Sequence, residues 1–283
     1  MHFEVVYTTG LSGFIGKNLL PLLLKKFPKI INFRRDNVHE VYTQDGKIEI
    51  ADNKDLTISN SDKLFINIAA LYNAAPKTTI ELENLYMSNT ILPINIIENY
   101  LGSKNLKIIQ LASYFQLLDL ELQTPYSLTK SLGMKYMEKN YDNVSFIYLF
   151  DTFGTGDNRN RVIDTFLNKI IDNKSIELPK TDVYINISHV SDVCEAIIDS
   201  INFPANNYCI MSENTLSLRE IAEKIMTLVG NNVDIEVLQN NIDYFANLNK
   251  DNIPENIFPS SRTKSFNQHL KSRLDEIKVL RSK

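Results

Sequence analysis

Tyr126 and Lys130 stand four residues apart in Tyr126-Ser127-Leu128-Thr129-Lys130, a spacing that lays both side chains on one face of a helix. An ammonium beside a phenol favours the phenolate and lowers a pKa that is about 10 when unperturbed. Such a pair can give or take a proton at a carbinol carbon near neutral pH. Upstream, Ile108-Ile109-Gln110-Leu111 reads as a strand ending at Ala112-Ser113, so the Ser113 hydroxyl can hydrogen-bond the same oxygen. A Tyr and a Lys at this spacing also occur on solvated helix faces, and a lone Ser113 is equally a turn hydroxyl. The pair needs a partner feature.

That feature lies near the N-terminus. Val5-Val6-Tyr7-Thr8-Thr9-Gly10-Leu11-Ser12-Gly13-Phe14-Ile15-Gly16 runs from an apolar strand through three glycines into the leucine-rich helix Phe14–Lys25. Helix-start N–H groups and the positive end of the helix dipole then face the turn, which makes a phosphate cradle. Gly10 permits the tight turn, Gly13 lets a pyrophosphate approach the backbone, and Gly16 lets helix and strand pack closely. Ser12, Phe14 and Ile15 complete the cradle.

To bring these two features together the chain must alternate strands and helices, and it does. Strand-like runs at Phe3–Tyr7, Lys29–Phe33, Lys47–Ile50, Lys63–Ala69, Leu106–Leu111 and Val144–Leu149 are separated by helical ones at Phe14–Lys25, Thr79–Leu101 and Ser127–Asn140. Pro93 is expected to kink or divide the second of these helices. Helical crossovers imply a parallel sheet covered on both faces, an α/β doubly wound Rossmann fold whose ligands bind at the carboxyl edge. The expected division is a dinucleotide-binding domain over residues 1–150 and a smaller, mainly substrate-binding domain over 151–283, with 183–201 returning to the Rossmann sheet. In the second part Arg161–Asp172, Val190–Ile201, Leu218–Val229 and Leu270–Leu280 read as helices, Val183–Ile187 and Asn207–Met211 as strands.

Composition excludes several alternatives. A net charge of −4 over 283 residues, with basic residues scattered, gives no footprint for nucleic acid or an anionic membrane. The apolar runs fall short of a membrane span, and no signal segment precedes the first strand, so a cytoplasmic protein is expected. The four histidines are far apart and the two cysteines, Cys194 and Cys209, lie in apolar stretches, so neither a metal site nor a disulfide is expected.

With both motifs in hand, the chain resembles the extended short-chain dehydrogenase/reductases, the NAD-dependent epimerase/dehydratase group that acts on nucleotide sugars. Thr9–Gly16 is similar to that group's Thr-Gly-x-x-Gly-Phe-Ile-Gly run, and Tyr126/Lys130 to its Tyr-x-x-x-Lys. Ile68-Ala69-Ala70 resembles its fourth-strand motif, with Asn67 for the usual His, and Asn89 falls where the group has a supporting Asn. Phe150-Asp151-Thr152-Phe153-Gly154-Thr155-Gly156-Asp157 resembles Asn-x-Tyr-Gly-Pro-Gly, and His189-Val190-Ser191-Asp192-Val193 resembles Tyr-Val-x-Asp-Val. The resemblance implies a catalytic set of Ser113, Tyr126 and Lys130. It implies cofactor contacts from Ala69, Ala70, Tyr126 and Lys130 as well as the glycine turn, and substrate contacts from Tyr72, Asp151, Thr152 and Arg159. It also implies a homodimer through the helices beginning near Thr79 and Ser127, using Leu82, Leu85, Tyr86, Ile97, Leu132, Tyr136 and Met137.

The chain departs from the group in instructive places. Ile185-Asn186 stands where an Arg that grips phosphate is common, so Arg159 and Arg161 are candidates to replace it. Tyr114-Phe115 follow Ser113, where dehydratases carry an acid. At the end of the second strand an acid would bind the ribose of NAD and an Arg the 2′-phosphate of NADP. Arg34 stands there, eighteen residues after Gly16, which favours NADPH over NAD. Asp52 is a candidate for the adenine amino group. These features favour an NADPH-dependent reductase of a nucleotide-linked 4-keto-6-deoxy sugar. The alternatives are a 4-epimerase with retained NAD and a non-catalytic NADP-sensing protein.

Overall fold

The structure is a computed structural model, and it describes residues 3–36, 38–50, 61–213, 215–238, 245–248, 250–259 and 265–282. Asp52 lies outside the described residues. Strand β1 (Val5–Thr9) enters the glycine turn, followed by helix α1 (Phe14–Lys26) and strand β2 (Lys29–Phe33). Parallel strands β5 (Lys63–Asn67), β6 (Leu106–Ser113) and β7 (Val144–Leu149) extend the sheet from the other side of β1. Every residue of β5 and β6 is buried, because helices cover both faces. Strand order therefore reverses beside β1, which sets the turn at the switch point where a crevice opens. The fold is the expected α/β Rossmann architecture.

The sheet is wider than the sequence suggests. Among the described residues it has nine strands, because β11 (Asn207–Met211) and β14 (Asn256–Pro259) add in parallel beyond β7. At the opposite edge β3 (His39–Thr43) and β4 (Gly46–Ile50) form an antiparallel hairpin on β2. The sequence reading found only the second of these two strands. Residues 183–201 part company. Strand β10 (Tyr184–His189) does not return to the large sheet but pairs with β8 (Asp151–Phe153) and β12 (Thr215–Ser217). Helix α6 (Val190–Ser200) does lie back on α1, where Val193, Ala196 and Ile197 share the core with Leu19 and Leu23. The strand that joins the large sheet beside β7 is β11.

The helix expected to be kinked or divided by Pro93 is divided into segments of different winding, with Pro93 in the first turn of one of them. Helix α2 (Thr79–Tyr86) passes into a wide π-helical turn at Met87–Ile91, continues as α3 (Leu92–Ile96), and ends in a second wide turn at Ile97–Leu101. The Leu92 N–H reaches back to Met87 O, so the turn just before the proline is the wider π type. Helix α4 (Pro125–Asn140) packs across this turn, and α5 (Val162–Ile171), α7 (Leu218–Val229) and α8 (Phe266–Arg281) enclose a separate core around Phe166, Ile225 and Leu274. Among the described residues no helix is long and apolar enough to cross a membrane, and no cluster of His, Cys, Asp or Glu could hold a metal ion.

Candidate active site

The glycine turn is tied closed by its own backbone, with Gly13 N–H donating to Gly10 O at 3.0 Å. Gly10 has φ +77°, and a Cβ there would stand 2.6 Å from Ala69 N. A Cβ on Gly16 would meet Gly10 O at 2.2 Å, so only glycine brings α1 this near the strand. Thr9 locks the turn to β5: its hydroxyl bonds Asn67 Oδ1 and accepts from Ala69 N–H at 3.1 Å. Asn67, the replacement for histidine, passes the bond on to Gln110 Oε1 at 2.6 Å.

In front of this turn lies a cleft of about 610 Å³. Its walls include Gly10, Ser12, Gly13, Phe14, Ile15, Gly16, Arg34, Ala69, Ala70, Tyr72, Tyr126, Lys130 and Arg159. The two sequence motifs thus meet in one cavity. The residues fit a dinucleotide: an N–H-lined turn at a helix start, a floor that glycine alone keeps open, and cations at one end.

Helix α4 delivers Tyr126 and Lys130 because Thr124 caps its first turn and Pro125 opens it. The wide turn behind it carries Asn89, which clamps the Leu71 backbone through both its amide atoms (2.8 and 3.0 Å) and donates to Thr129 Oγ1 at 3.1 Å. Asn89 therefore registers the Ala70–Tyr72 segment against the catalytic helix. Ser113 does not line the cleft; its hydroxyl hydrogen-bonds Tyr126 from behind. Gln116 fixes it, accepting from Ser113 N–H at 2.9 Å.

The electrostatics differ from the sequence expectation. Burial pushes the Tyr126 phenol up to about 12, against the pull of Ser113 and Arg161. Lys130 Nζ is 6.0 Å from the Tyr126 ring centroid and is itself pushed down to about 8 by burial. The expected lowering of the phenol by its lysine is not what acts there: desolvation dominates, and the groups that pull the phenol down are Ser113 and Arg161. Tyr126 is protonated and Lys130 largely ammonium at neutral pH.

At the cofactor end Arg34 is engaged, not idle. Its guanidinium meets Asp36 at 2.6 Å, Glu49 at 3.5 Å and Glu40 at 3.6 Å, the last two contributed by the hairpin. Glu40 is wired to the glycine turn: it accepts from Asn32 Nδ2 at 2.7 Å, while Asn32 Oδ1 receives the Leu11 N–H at 3.3 Å. Arg35 also lines the cleft and donates to Ser88 Oγ at 3.2 Å, a contact the sequence reading missed.

On the opposite side Tyr72 packs edge-on against Tyr126 with centroids 4.9 Å apart, and Arg161 lies 4.8 Å over the Tyr72 ring. Arg159 is held by Asp157 (2.7 and 2.8 Å) and by Thr152 O at 2.8 Å, and it stacks 4.2 Å over Phe14. Thr152 and Asp151 stand behind this wall and do not line the cleft. Burial pushes the Asp151 carboxyl up to about 6, with Arg161, Arg159 and the Tyr114 hydroxyl pulling it down.

Known proteins share this layout. The profile of the NAD-dependent epimerase/dehydratase family matches residues 6–208. A CDP-abequose synthase of Yersinia pseudotuberculosis is 24% identical over 250 residues, covering 81% of this chain and 86% of that enzyme. Among solved structures, a UDP-glucuronic acid 4-epimerase of Bacillus cereus, solved with NAD, superposes with a TM-score of 0.73 at 14% identity, over 98% of this chain and 99% of that one. RMD of Pseudomonas aeruginosa, solved with NADPH, gives 0.72 at 16% identity, over 98% and 100%. With its glycine turn, its Tyr–Lys helix and more than half its length matched, the chain belongs to the NAD-dependent epimerase/dehydratase family and is an NAD(P)-dependent oxidoreductase.

Proposed function

We propose that the protein is an NADPH-dependent reductase of a nucleotide-linked 4-keto-6-deoxy sugar, with a CDP-linked sugar the first to test. The observation that carries this reading is that Tyr126 and Lys130 face the cleft formed by the glycine turn, with the Ser113 hydroxyl hydrogen-bonded to Tyr126. The CDP-abequose synthase relative supports the choice of nucleotide. The cofactor would be held by Gly10, Ser12, Gly13, Phe14, Ile15 and Gly16 at its phosphates, by Ala69 and Ala70 along its length, and by Lys130 at the nicotinamide ribose. When bound, it supplies the hydride that reduces the keto carbon.

The chain supplies the proton. Tyr126, a phenol at neutral pH, donates its O–H proton to the oxygen of the ketone as the carbon is reduced. Ser113 hydrogen-bonds the same oxygen and orients the carbonyl. Lys130, as ammonium, stabilises the phenolate left on Tyr126. Tyr72 forms the substrate side, with Asp151 and Thr152 behind it supporting the wall, and Arg159 and Arg161 are the cations available to a diphosphate.

NADPH is favoured by Arg34 and Arg35 at the open end of the cleft, where a 2′-phosphate would replace Asp36 as the partner of Arg34. One observation favours NAD instead: Asp36 also lines the cleft, and its carboxylate can accept from a ribose hydroxyl. Oxidation of CDP-abequose, assayed with NADP and with NAD, tests reaction and cofactor together. Turnover with NADP that falls roughly 10²–10⁴-fold in Tyr126→Phe is the expected result. Wild-type turnover in Tyr126→Phe eliminates the role given to the tyrosine.

A further inference from the structure

Arg159 and Arg161 stand on one loop, residues 154–161 between β8 and α5, and that loop is anchored from outside the cleft by the C-terminal helix α8. Arg273 of α8 is buried, and its guanidinium makes four hydrogen bonds. It grips both carboxylate oxygens of Asp164 in α5 at 2.8 and 3.0 Å, meets Glu276 at 2.6 Å, and donates to the backbone carbonyl of Asp157 at 2.5 Å. Glu276 in turn accepts the Gly156 N–H at 3.0 Å. Two of these bonds end on the backbone of the loop itself.

The helix does not need this network to pack. Leu270, Leu274 and Ile277 already seat α8 in the apolar core. A buried ion pair is costly to desolvate, and an apolar residue of similar volume is often no less stabilising. What the network adds is a fixed position for the loop. The Asp157 side chain holds Arg159, and two residues further on Arg161 lies over Tyr72. Unlike Arg159, Arg161 has no ion-pair partner among the described residues, so its guanidinium is available to an anion beside Tyr126.

We propose that Arg273 is a positioning residue for substrate binding, acting through the loop to hold Arg161 where it receives the diphosphate of a nucleotide sugar. The inference rests on the nucleotide-sugar reading. It assigns to α8 a part in recognition although α8 contributes no residue to the cleft walls.

Calorimetric titration with CDP, and with dTDP, UDP and GDP alongside, reads the effect without turnover. Arg161→Ala should weaken the nucleoside diphosphate that wild type binds by about tenfold or more, the worth of a charge-assisted contact. Arg273→Met should weaken it by about tenfold, and the double variant should bind no more weakly than Arg161→Ala, because the two act in series. In turnover, KM should rise in Arg273→Met while kcat holds, and Arg273→Lys should restore part of the loss. If Arg273→Met does not fold, Glu276→Ala, which frees the Gly156 N–H but leaves the Asp164 pair, carries the same expectation with a smaller change. Unchanged affinity in the folded variant, or losses that add in the double variant, overturns the positioning role alone. A wild type that binds none of the four overturns the nucleotide reading, and this inference with it.

Discussion

At the scale of single residues, Lys130 pays for its place in the cleft. Burial holds its pKa near 8, against an ordinary 10.5. Between those values the unfolded chain carries a proton that the folded chain lacks, so stability rises with pH there; below about 8 the full penalty applies. At about 1.4 kcal/mol per pKa unit the penalty at neutral pH is on the order of 3 kcal/mol. Lys130→Met should therefore melt several degrees above wild type at pH 7, with the gap narrowing toward pH 10.5, while turnover is lost. A variant that melts lower at pH 7 would show that the ammonium finds compensation in the fold. The spacing of Tyr126 to Lys130 marks it in the sequence as a candidate proton carrier, but the direction of its pKa shift is not legible there. Sequence gives the neighbour's charge, whereas the depth of burial that sets the direction comes from packing by Tyr72 and α4.

At the scale of elements, the β3–β4 hairpin decides how Arg34 behaves. It adds Glu40 and Glu49 to a guanidinium that Asp36 already pairs. Arg34→Asp should weaken NADPH far more than NADH, because a carboxylate repels the 2′-phosphate. Fluorescence titration that finds wild type binding NADH at least as tightly as NADPH would remove the main support for a reductase. The hairpin could have been read from Asp45-Gly46 between two alternating runs, a turn signal that went unused. The glycine turn and the Tyr–Lys helix were legible because each needs particular residue types at fixed spacing. The wide turn at Met87–Ile91 was not, since a proline in a helix reads as a break and says nothing of how the turn before it is wound. Arg161 was visible but indistinguishable from Arg159, because only the structure shows which of the two Asp157 has already taken.

At the scale of the whole molecule, the helices expected to pair copies of the chain divide their apolar residues between two faces. Leu85, Ile97 and Met137 are buried within their own chain, the last two in the core on one face of the sheet, which corrects their assignment to a pairing surface. Leu82, Tyr86, Leu132 and Tyr136 remain exposed and are joined by Ile80, Met87 and Leu128. We propose a homodimer across this face, with two-fold symmetry because like helices meet. Light scattering after size exclusion should give about twice the chain's 32.5 kDa, and a mass of one chain at micromolar concentration rejects the pairing. The width of the central sheet has a consequence for how the protein is made. Strand β7 is bordered on one side by β6 and on the other by β11, whose own outer neighbour β14 begins only at Asn256. During synthesis, Val144–Leu149 emerges well before β11 covers its edge, and the residues between them supply only part of the second core. An unpaired apolar edge of this kind is a template for association between nascent chains. The sheet of the dinucleotide half is thus completed in chain order by β11 and then β14, strands that follow part of the second core in sequence.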